Sequence, residues 1–503
     1  MVDISNKIKE IKELIDNEFY FTMNRPRQYG KTTTLNELVI ALKEEYLVTS
    51  ISFEGIGDKV FQDEEEFSKV FTELLSESIE LTDIEESRRL DSLASDMHNI
   101  RDLSKAITTF VKGASKEVVL LIDEVDKSSN NQLFLSFIGM LRNKYLSREV
   151  AKDYTFKSVI LAGVYDVKSL KLRLRTEVES KYNSPWNIAA DFNVDMSFSS
   201  EEIATMIESY AKDNILDMGI RDISEELYFF TDGYPYLVSK ICQIIDEEIN
   251  KEGKMPWSIV DVKKAVKIIN EGTNTLFQSI VKNLENNNEL YELIKRMLID
   301  GEQIVFNPLD PTISIGLTYG IFKKAESGLE ISNKIFEEII YNYMISKIAT
   351  ATKNMSLYNF KLNFIKENGE LNVEAILVRF QQFMKEQYSS KDEEFLEHHG
   401  RLLFLAFIKP IINGTGFDFK EVQVSEEKRL DVVITYNNYK YIIEMKIWRG
   451  VKYHEDGVRQ LSDYLKIHGL DKGYLLVFNF NKNKEFKEER INHEGKDIFV
   501  VFV

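Results

Sequence analysis

The sequence predicts an α/β fold in two parts. A mainly parallel sheet bearing a phosphate site comes first, and a smaller α/β domain follows after a helical connection. Three observations predict it. A short apolar run, Phe19–Met23, enters the loop Asn24-Arg25-Pro26-Arg27-Gln28-Tyr29-Gly30-Lys31-Thr32-Thr33, and the helical run Leu35–Leu42 follows. A second apolar run, Val118–Ile122, ends on Asp123-Glu124. Near the C-terminus two apolar segments carry Asp431 and Glu444-x-Lys446 on either side of a polar turn.

Composition bounds the reading. The chain has 503 residues, enough for three or four domains, with 44% hydrophobic and 12% aromatic residues to fill their cores. Net charge is −18, which argues against a protein that coats nucleic acid generally. From residue 351 onward cations equal anions, so the whole deficit lies in residues 1–350. The neutral C-terminal part can meet a polyanion through local basic patches. Cys242 is the single cysteine, which leaves no intrachain disulfide and no cysteine-based zinc site. No apolar run is long enough to span a bilayer, so a cytoplasmic protein without a membrane partner is expected.

The elements follow in order. Ile4, Ile8, Ile11, Leu14 and Ile15 recur at helical spacing over residues 1–16. Next come the first strand, its loop and its helix. Backbone N–H groups of such a loop and of the helix N-terminus point at β- and γ-phosphates. Gly30 permits close approach, Lys31 supplies charge, and Thr32 is placed to hold Mg²⁺, with Thr33 beside it. Tyr46–Phe53 reads as a second strand and residues 61–113 as charged helices. The strand ending at Asp123-Glu124 is apolar throughout, as a buried parallel strand should be. Asp123 would hold the water shell of Mg²⁺, and Glu124 would orient and deprotonate the attacking water. Taken alone, Gly-Lys-Thr also opens ordinary helices; the downstream acid-ended strand favours the phosphate site.

A helix from Gln132 to Tyr145 and a strand over Lys157–Gly163 come next. Tyr165 or Asp166 could sense the γ-phosphate or belong to a plain loop, and Asp191–Met196 reads as a short strand. Alternating strands and helices imply a sheet whose carboxyl ends bind ligand. Residues 200–252 read as helices around Thr231-Asp232-Gly233-Tyr234-Pro235. Residues 255–350 carry helical patterns and then Gly301–Phe306, Gly316–Phe322 and Gly328–Ser332. Helices followed by two short strands suggest a winged helix, which in this acidic part of the chain reads as an interdomain clamp.

The last part begins with amphipathic helices over residues 351–390. A helix from Glu393 to Phe407 then places Glu394 and Glu397 on one face. The hairpin follows. Residues two apart on a strand share a face, so Glu444 and Lys446 look at one site, and Asp431 can meet them from the other strand. Two carboxylates can hold Mg²⁺, which polarises a phosphodiester and activates water; Lys446 can steady the water or the developing charge. Ile442, Ile443 and Ile447 are apolar, so this is not an ordinary solvated strand. His399 lies nearby, although a lone histidine is more often packing than a ligand.

Arg25 stands where G-x-x-x-x-G-K-[ST] asks for its first glycine. With Arg25-Pro26-Arg27-x-x-Gly30-Lys31-Thr32 and Asp123-Glu124, the chain resembles, over essentially its whole length, the bacterial AAA-ATPase-like family that carries a C-terminal PD-(D/E)XK nuclease domain. Such members have an R-P-R-x-x-G-K-[ST] loop. Gly233-Tyr234-Pro235 resembles the G-x-P motif of STAND-type ATPases, whose proline packs in a helical lid over nucleotide. Asp431, Glu444-x-Lys446 and Gln460-x-x-x-Tyr464 resemble the core of RecB-like nucleases. The resemblance implies a P-loop ATPase domain over 1–199, a helical lid over 200–254, a winged helix over 255–350 and a nuclease-like domain over 351–503. It implies ATP and Mg²⁺ as cofactors, with Arg25, Arg27, Gly30, Lys31, Thr32, Thr33, Asp123 and Pro235 at the nucleotide. It implies Glu124 as the ATPase catalytic residue, Glu397, Asp431 and Glu444 as the nuclease metal ligands, and Asp431, Glu444, Lys446 and Gln460 as its catalytic set. The implied activity is ATP-regulated cleavage of nucleic acid, DNA being expected, with a role in defence by analogy. Homo-oligomerisation is left open. Two alternatives remain: a nucleotide switch whose nuclease-like domain only binds a partner or nucleic acid, and a nucleic-acid motor or repair ATPase.

Overall fold

A computed structural model describes residues 1–127, 132–164, 186–251, 254–299, 302–352, 364–388, 393–412, 423–425, 428–429, 432–436, 439–481 and 484–503. For 387, 393–398, 423–425 and 428–429 it describes the backbone alone. Asp431, Tyr165 and Asp166 lie outside the described residues.

The described chain divides into two compact units. One comprises Met1–Ile280, Phe306–Ala325 and Leu329–Phe336; the other comprises Val281–Val305, Glu326–Gly328 and Glu337–Val503.

The first unit opens with α1 (Ser5–Asp16), β1 (Phe21–Asn24), α2 (Lys31–Leu42) and β2 (Leu47–Ser52). Helices α3 (Glu64–Ile79), α4 (Ile84–Ala94) and α5 (Ile100–Gly113) precede β3 (Val118–Asp123), α6 (Gln132–Glu149) and β4 (Ser158–Gly163). The four strands form one parallel sheet in the order β1-β4-β3-β2. Alternation along β3 builds a core on each face. Val118, Leu120 and Ile122 pack with Phe67, Phe71, Phe134 and Phe137. Val119 and Leu121 pack with Ile11, Ile15, Leu35 and Leu38. Burying both faces is why these strands read as continuous apolar runs. Asn24 lies opposite Gly163 and Ser52 opposite Asp123, so all four strands end at one edge.

The short strand expected over Asp191–Met196 does not form. Backbone pairing with β1 is the isolated bridge Phe21–Ala190, where the Ala190 amide donates to the Tyr20 carbonyl at 2.8 Å. Beyond it Phe192 stacks on Phe21, and the Arg25 guanidinium takes the Val194 carbonyl at 2.7 Å. Side chains thus supply what a strand ladder would have supplied.

Helices α7 (Ser200–Asn214), α8 (Ile220–Thr231), α9 (Pro235–Ile244) and α10 (Ile259–Glu271) follow. Then come α11 (Thr275–Asn286), α12 (Asn288–Leu298), α13 (Pro311–Thr318), the hairpin β5 (Phe322–Ala325) and β6 (Gly328–Ile331), and α14 (Lys334–Ala351). Gly316–Thr318, the start of the stretch Gly316–Phe322, is helical. Asp310 caps α13 by accepting the amides of Thr312 and Ile313, and Pro311 occupies its first position. Gly316 is required there, because a Cβ would meet the Phe322 ring at 2.1 Å.

The second unit contains α15 (Val373–Gln387), α16 (Glu393–Ile412), the short strands β7 (Gln423–Ser425) and β8 (Lys428–Arg429), and β9 (Val432–Tyr436). It continues with β10 (Tyr439–Ile447), α17 (Val451–Ile467), β11 (Lys472–Phe478), β12 (Glu488–His493) and β13 (Lys496–Phe502). Its main sheet is mixed, in the order β12-β13-β11-β10-β9, with β10, β11 and β13 parallel. Helix α17 covers one face through Val458, Leu461, Tyr464 and Leu465. Among the described residues, no helix is long and apolar enough to cross a membrane.

Candidate functional sites

The first site lies where the parallel strands of the first unit end. Gln28 and Gly30 both take positive φ, 57° and 78°, which bends the loop back onto α2. Lys31 is 7% exposed. Its ammonium donates to the carbonyls of Arg25 at 3.0 Å and Pro26 at 2.9 Å, so the charge is held inside the loop. Burial lowers its pKa, opposed by Asp126, Glu124 and Asp123. The Thr32 hydroxyl donates to the Asp123 carboxylate at 2.6 Å, joining loop and β3. The other Asp123 oxygen accepts the Glu124 amide at 2.8 Å. Glu124 itself takes φ +54°, a conformation costly for a non-glycine residue. Burial raises the Glu124 pKa, and the charges of Asp123 and Asp126 raise it further.

Asp126 belongs to this acidic group and escaped sequence reading. Its carboxylate accepts the Val164 amide at 2.7 Å, tying the turn after β3 to the end of β4. The spacing Asp123-Glu124-x-Asp126 was the available signal. Arg25 is held structurally: its guanidinium donates to the Asn24 and Val194 carbonyls and lies 5.0 Å from the Phe192 ring centroid. Arg27 and Thr33 are exposed.

Pro235 starts α9 beside the loop; a Cβ built on Gly30 would lie 3.9 Å from its Cβ and Cγ. The Tyr234 hydroxyl donates to the Arg27 carbonyl, and the Tyr234 ring meets Tyr29 edge-on at 4.8 Å. Gly320 touches the loop from another segment, since a Cβ there would come within 2.6 Å of Pro26. A cavity of about 170 Å³ opens here, lined among others by Arg25, Tyr29, Asp232, Tyr234 and Lys323. Lys323 pairs with Asp232 across 2.8 Å.

The second site lies on β10. Ile442, Glu444 and Lys446 alternate onto the face covered by α17. Glu444 is fully buried, and the Lys446 ammonium reaches its carboxylate at 2.8 Å. The same ammonium donates to the Gln460 side chain at 3.2 Å, and Gln460 donates to the Tyr464 hydroxyl at 2.9 Å. Gly457 makes room, because a Cβ there would already touch Lys446 at 3.4 Å. Strand alternation and helical spacing therefore bring Glu444, Lys446, Gln460 and Tyr464 into one chain of contacts. Glu397 lies on α16 one turn before Arg401, whose guanidinium donates to the Met445 carbonyl at 3.2 Å. Among the described residues, no three His, Cys, Asp or Glu converge as a metal cluster.

Residues 7–340 match the family described as AAA-like domain. The chain belongs to this AAA-like family. Its C-terminal part, residues 415–490, matches the PD-(D/E)XK nuclease superfamily. This AAA-like chain is also 22% identical over 246 residues to an uncharacterised WD repeat-containing protein, slr0143, of Synechocystis. That match covers 46% of the chain and 20% of the relative, so the chain spans about a fifth of the curated relative's length. Among solved structures it is similar to the Walker-type ATPase paby2304 of Pyrococcus abyssi, with 11% identity and TM-score 0.47, covering 68% of this chain and 96% of that one. It is also similar to the Thermotoga maritima RuvB Holliday junction branch migration motor, with 12% identity and TM-score 0.34, covering 67% and 95%.

Proposed function

We propose that the chain binds and hydrolyses ATP at Lys31, Thr32, Asp123 and Glu124, and that its C-terminal domain cleaves nucleic acid, DNA in the first instance, under control of nucleotide state. The observation that carries the reading is that side chains from different elements close into both constellations, loop with β3 in the first and β10 with α17 in the second. Thr32 meets Asp123 at 2.6 Å, and Lys446 joins Glu444 to Gln460.

Hard carboxylate and hydroxyl oxygens suit Mg²⁺. Thr32 and Asp123 would hold it in the ATPase; Glu444, with Asp431 and Glu397, would hold it in the nuclease. Bound Mg²⁺ supplies Lewis acidity toward phosphate oxygens at both places. Lys31 exchanges its loop carbonyls for phosphate oxygens, so an unfavourable buried charge gains a better partner. Glu124, held at the strand end beside Asp123, takes a proton from the attacking water. Lys446 balances the charge of the buried Glu444 carboxylate and, with Gln460, orients water or phosphate. Pro235 and Tyr234, in a helical lid, contact the phosphate loop directly, and so does Gly320 in the segment we read as a winged helix. That supports transmission of nucleotide state through backbone contacts with the loop.

The test uses wild type, Lys31→Ala and Lys446→Ala, each assayed for phosphate release and for plasmid cleavage with Mg²⁺, with and without ATP. Lys31→Ala should lose ATP hydrolysis, and Lys446→Ala should lose cleavage while hydrolysis persists. Unchanged turnover in Lys31→Ala would refute the ATPase assignment. A wild type that cuts nothing in any nucleotide state would leave a nucleotide switch in place of a nuclease.

A further inference from the structure

The sheet of the second unit has an edge that its proposed chemistry does not use. Ile447 lies opposite Phe478, and Val477 opposite Phe502, so β10, β11 and β13 end together. Lys446 is one residue from that edge. The Trp448 amide donates to the Phe478 carbonyl at 2.8 Å, so the segment leaving β10 runs along the ends of the parallel strands. His454, in the first turn of α17, sits 5.6 Å from the Trp448 ring and 5.4 Å from the Phe502 ring. Its Nε2 lies 3.0 Å from Glu489 on β12. Both connections are therefore anchored to one end of the sheet.

Cations and aromatic rings interleave there. Arg449 and Lys452 are exposed, and among the described residues neither has an ion-pair partner. Tyr453, 54% exposed, lies beneath the Arg449 guanidinium at 5.9 Å. In the connection after β11, Lys484 lies 5.2 Å from the half-buried Phe486 ring, and Lys487 lies 4.4 Å from the Phe502 ring, which is itself buried. Carboxylates are present too: Glu455, Glu485 and Glu488 are exposed, Glu489 pairs with Lys487, and Asp456 with Arg459. The first turn of α17 carries none. Such a surface fits a flexible polyanion whose bases can stack, because cations track phosphates while the exposed Tyr453 ring, with the half-buried Phe486 ring, takes base faces of any sequence. A rigid duplex hides those faces.

Resting on the nuclease reading above, we infer that this edge, through Arg449, Lys452, Tyr453 and Phe486, holds a single-stranded nucleic-acid segment and leads it to Lys446. The full chain, in chelator so that no strand is cut, is titrated into fluorescein-labelled single-stranded DNA, single-stranded RNA and blunt duplex of equal length, with anisotropy as readout. Single strands of one or both types should bind more tightly than duplex. Tyr453→Ala should weaken single-strand binding about 5- to 150-fold, the range for one base stacked on an aromatic ring. Tyr453→Phe, which keeps the ring, should retain affinity. Arg449→Ala with Lys452→Ala should lower the slope of log affinity against log salt by roughly 1.4, about 0.7 for each phosphate no longer neutralised. ATP hydrolysis by every variant checks folding of the first unit, and circular dichroism that of the second. Duplex bound as tightly as single strands, or variants that bind as wild type does, would overturn the inference while plasmid cleavage by wild type kept the nuclease reading. A wild type that neither binds an oligonucleotide nor cuts plasmid would overturn both.

Discussion

Pro235 stands beside Gly30: a Cβ built on the glycine would lie 3.9 Å from the Cβ and Cγ of the proline. With Tyr234 bonded to the Arg27 carbonyl and Gly320 against Pro26, three contacts converge on one loop. Gly320 is the sharpest place to disturb them. It takes φ +71°, and any Cβ would press Pro26. Gly320→Val should destabilise the first unit by about 1–3 kcal/mol and shift ATP affinity, read by thermal denaturation and calorimetric ATP titration. Wild-type values for both would mean that this segment does not bear on the loop.

Glu124 is the residue whose ionisation should set the acid limb of ATP turnover. Burial and then Asp123 and Asp126 raise its pKa above the ordinary 4.5, and a base works only when charged. Activity should therefore fall as pH drops through a value above 4.5, seen in the pH profile of kcat/KM. Glu124→Gln should still bind ATP, lose turnover by ~10²-fold or more, and lose that limb. An unaltered profile in the variant would assign the base elsewhere.

Arg25 and Arg27 should part company. Arg25 holds two carbonyls and the Phe192 ring, so Arg25→Ala should lower stability by about 1.5–3 kcal/mol as well as hydrolysis. Arg27 is exposed and its guanidinium is available to a phosphate, so Arg27→Ala should slow hydrolysis at unchanged melting temperature. Denaturation and phosphate release on the same preparations separate the two. Equal stability losses would contradict the distinction.

Lys446 bridges a fully buried carboxylate and Gln460. Lys446→Ala should abolish cleavage. It also strips the nearest countercharge from Glu444, which by itself destabilises, and bound Mg²⁺ should restore part of that stability. Lys446→Met keeps the packing against Gly457 and should fold but not cut. Thermal melts with and without Mg²⁺, beside plasmid cleavage, check both; cleavage by Lys446→Met would remove the lysine from the chemistry.

Local pattern alone was enough for the elements that build each site. The apolar runs of β3 and β4 are short and unbroken, and β3 runs into Asp123-Glu124, which is how a strand buried on both faces reads. Glu444 and Lys446 share a face because strand side chains repeat every two residues, and Gln460 and Tyr464 share one because helical side chains repeat every three to four. Tertiary structure decided the rest. Residues 191–196 read as a strand, but none forms there; Arg25 takes the Val194 carbonyl and Phe192 stacks on Phe21 instead. Gly316–Thr318 belongs to a helix capped by Asp310, and Gly316 leaves the room that the Phe322 ring occupies. Nothing in the sequence announces that Gly320 meets Pro26, and only the resemblance to a G-x-P motif, not any local pattern, pointed to Pro235 meeting Gly30. Those approaches join segments roughly two to three hundred residues apart, and propensity and periodicity act over only a few residues.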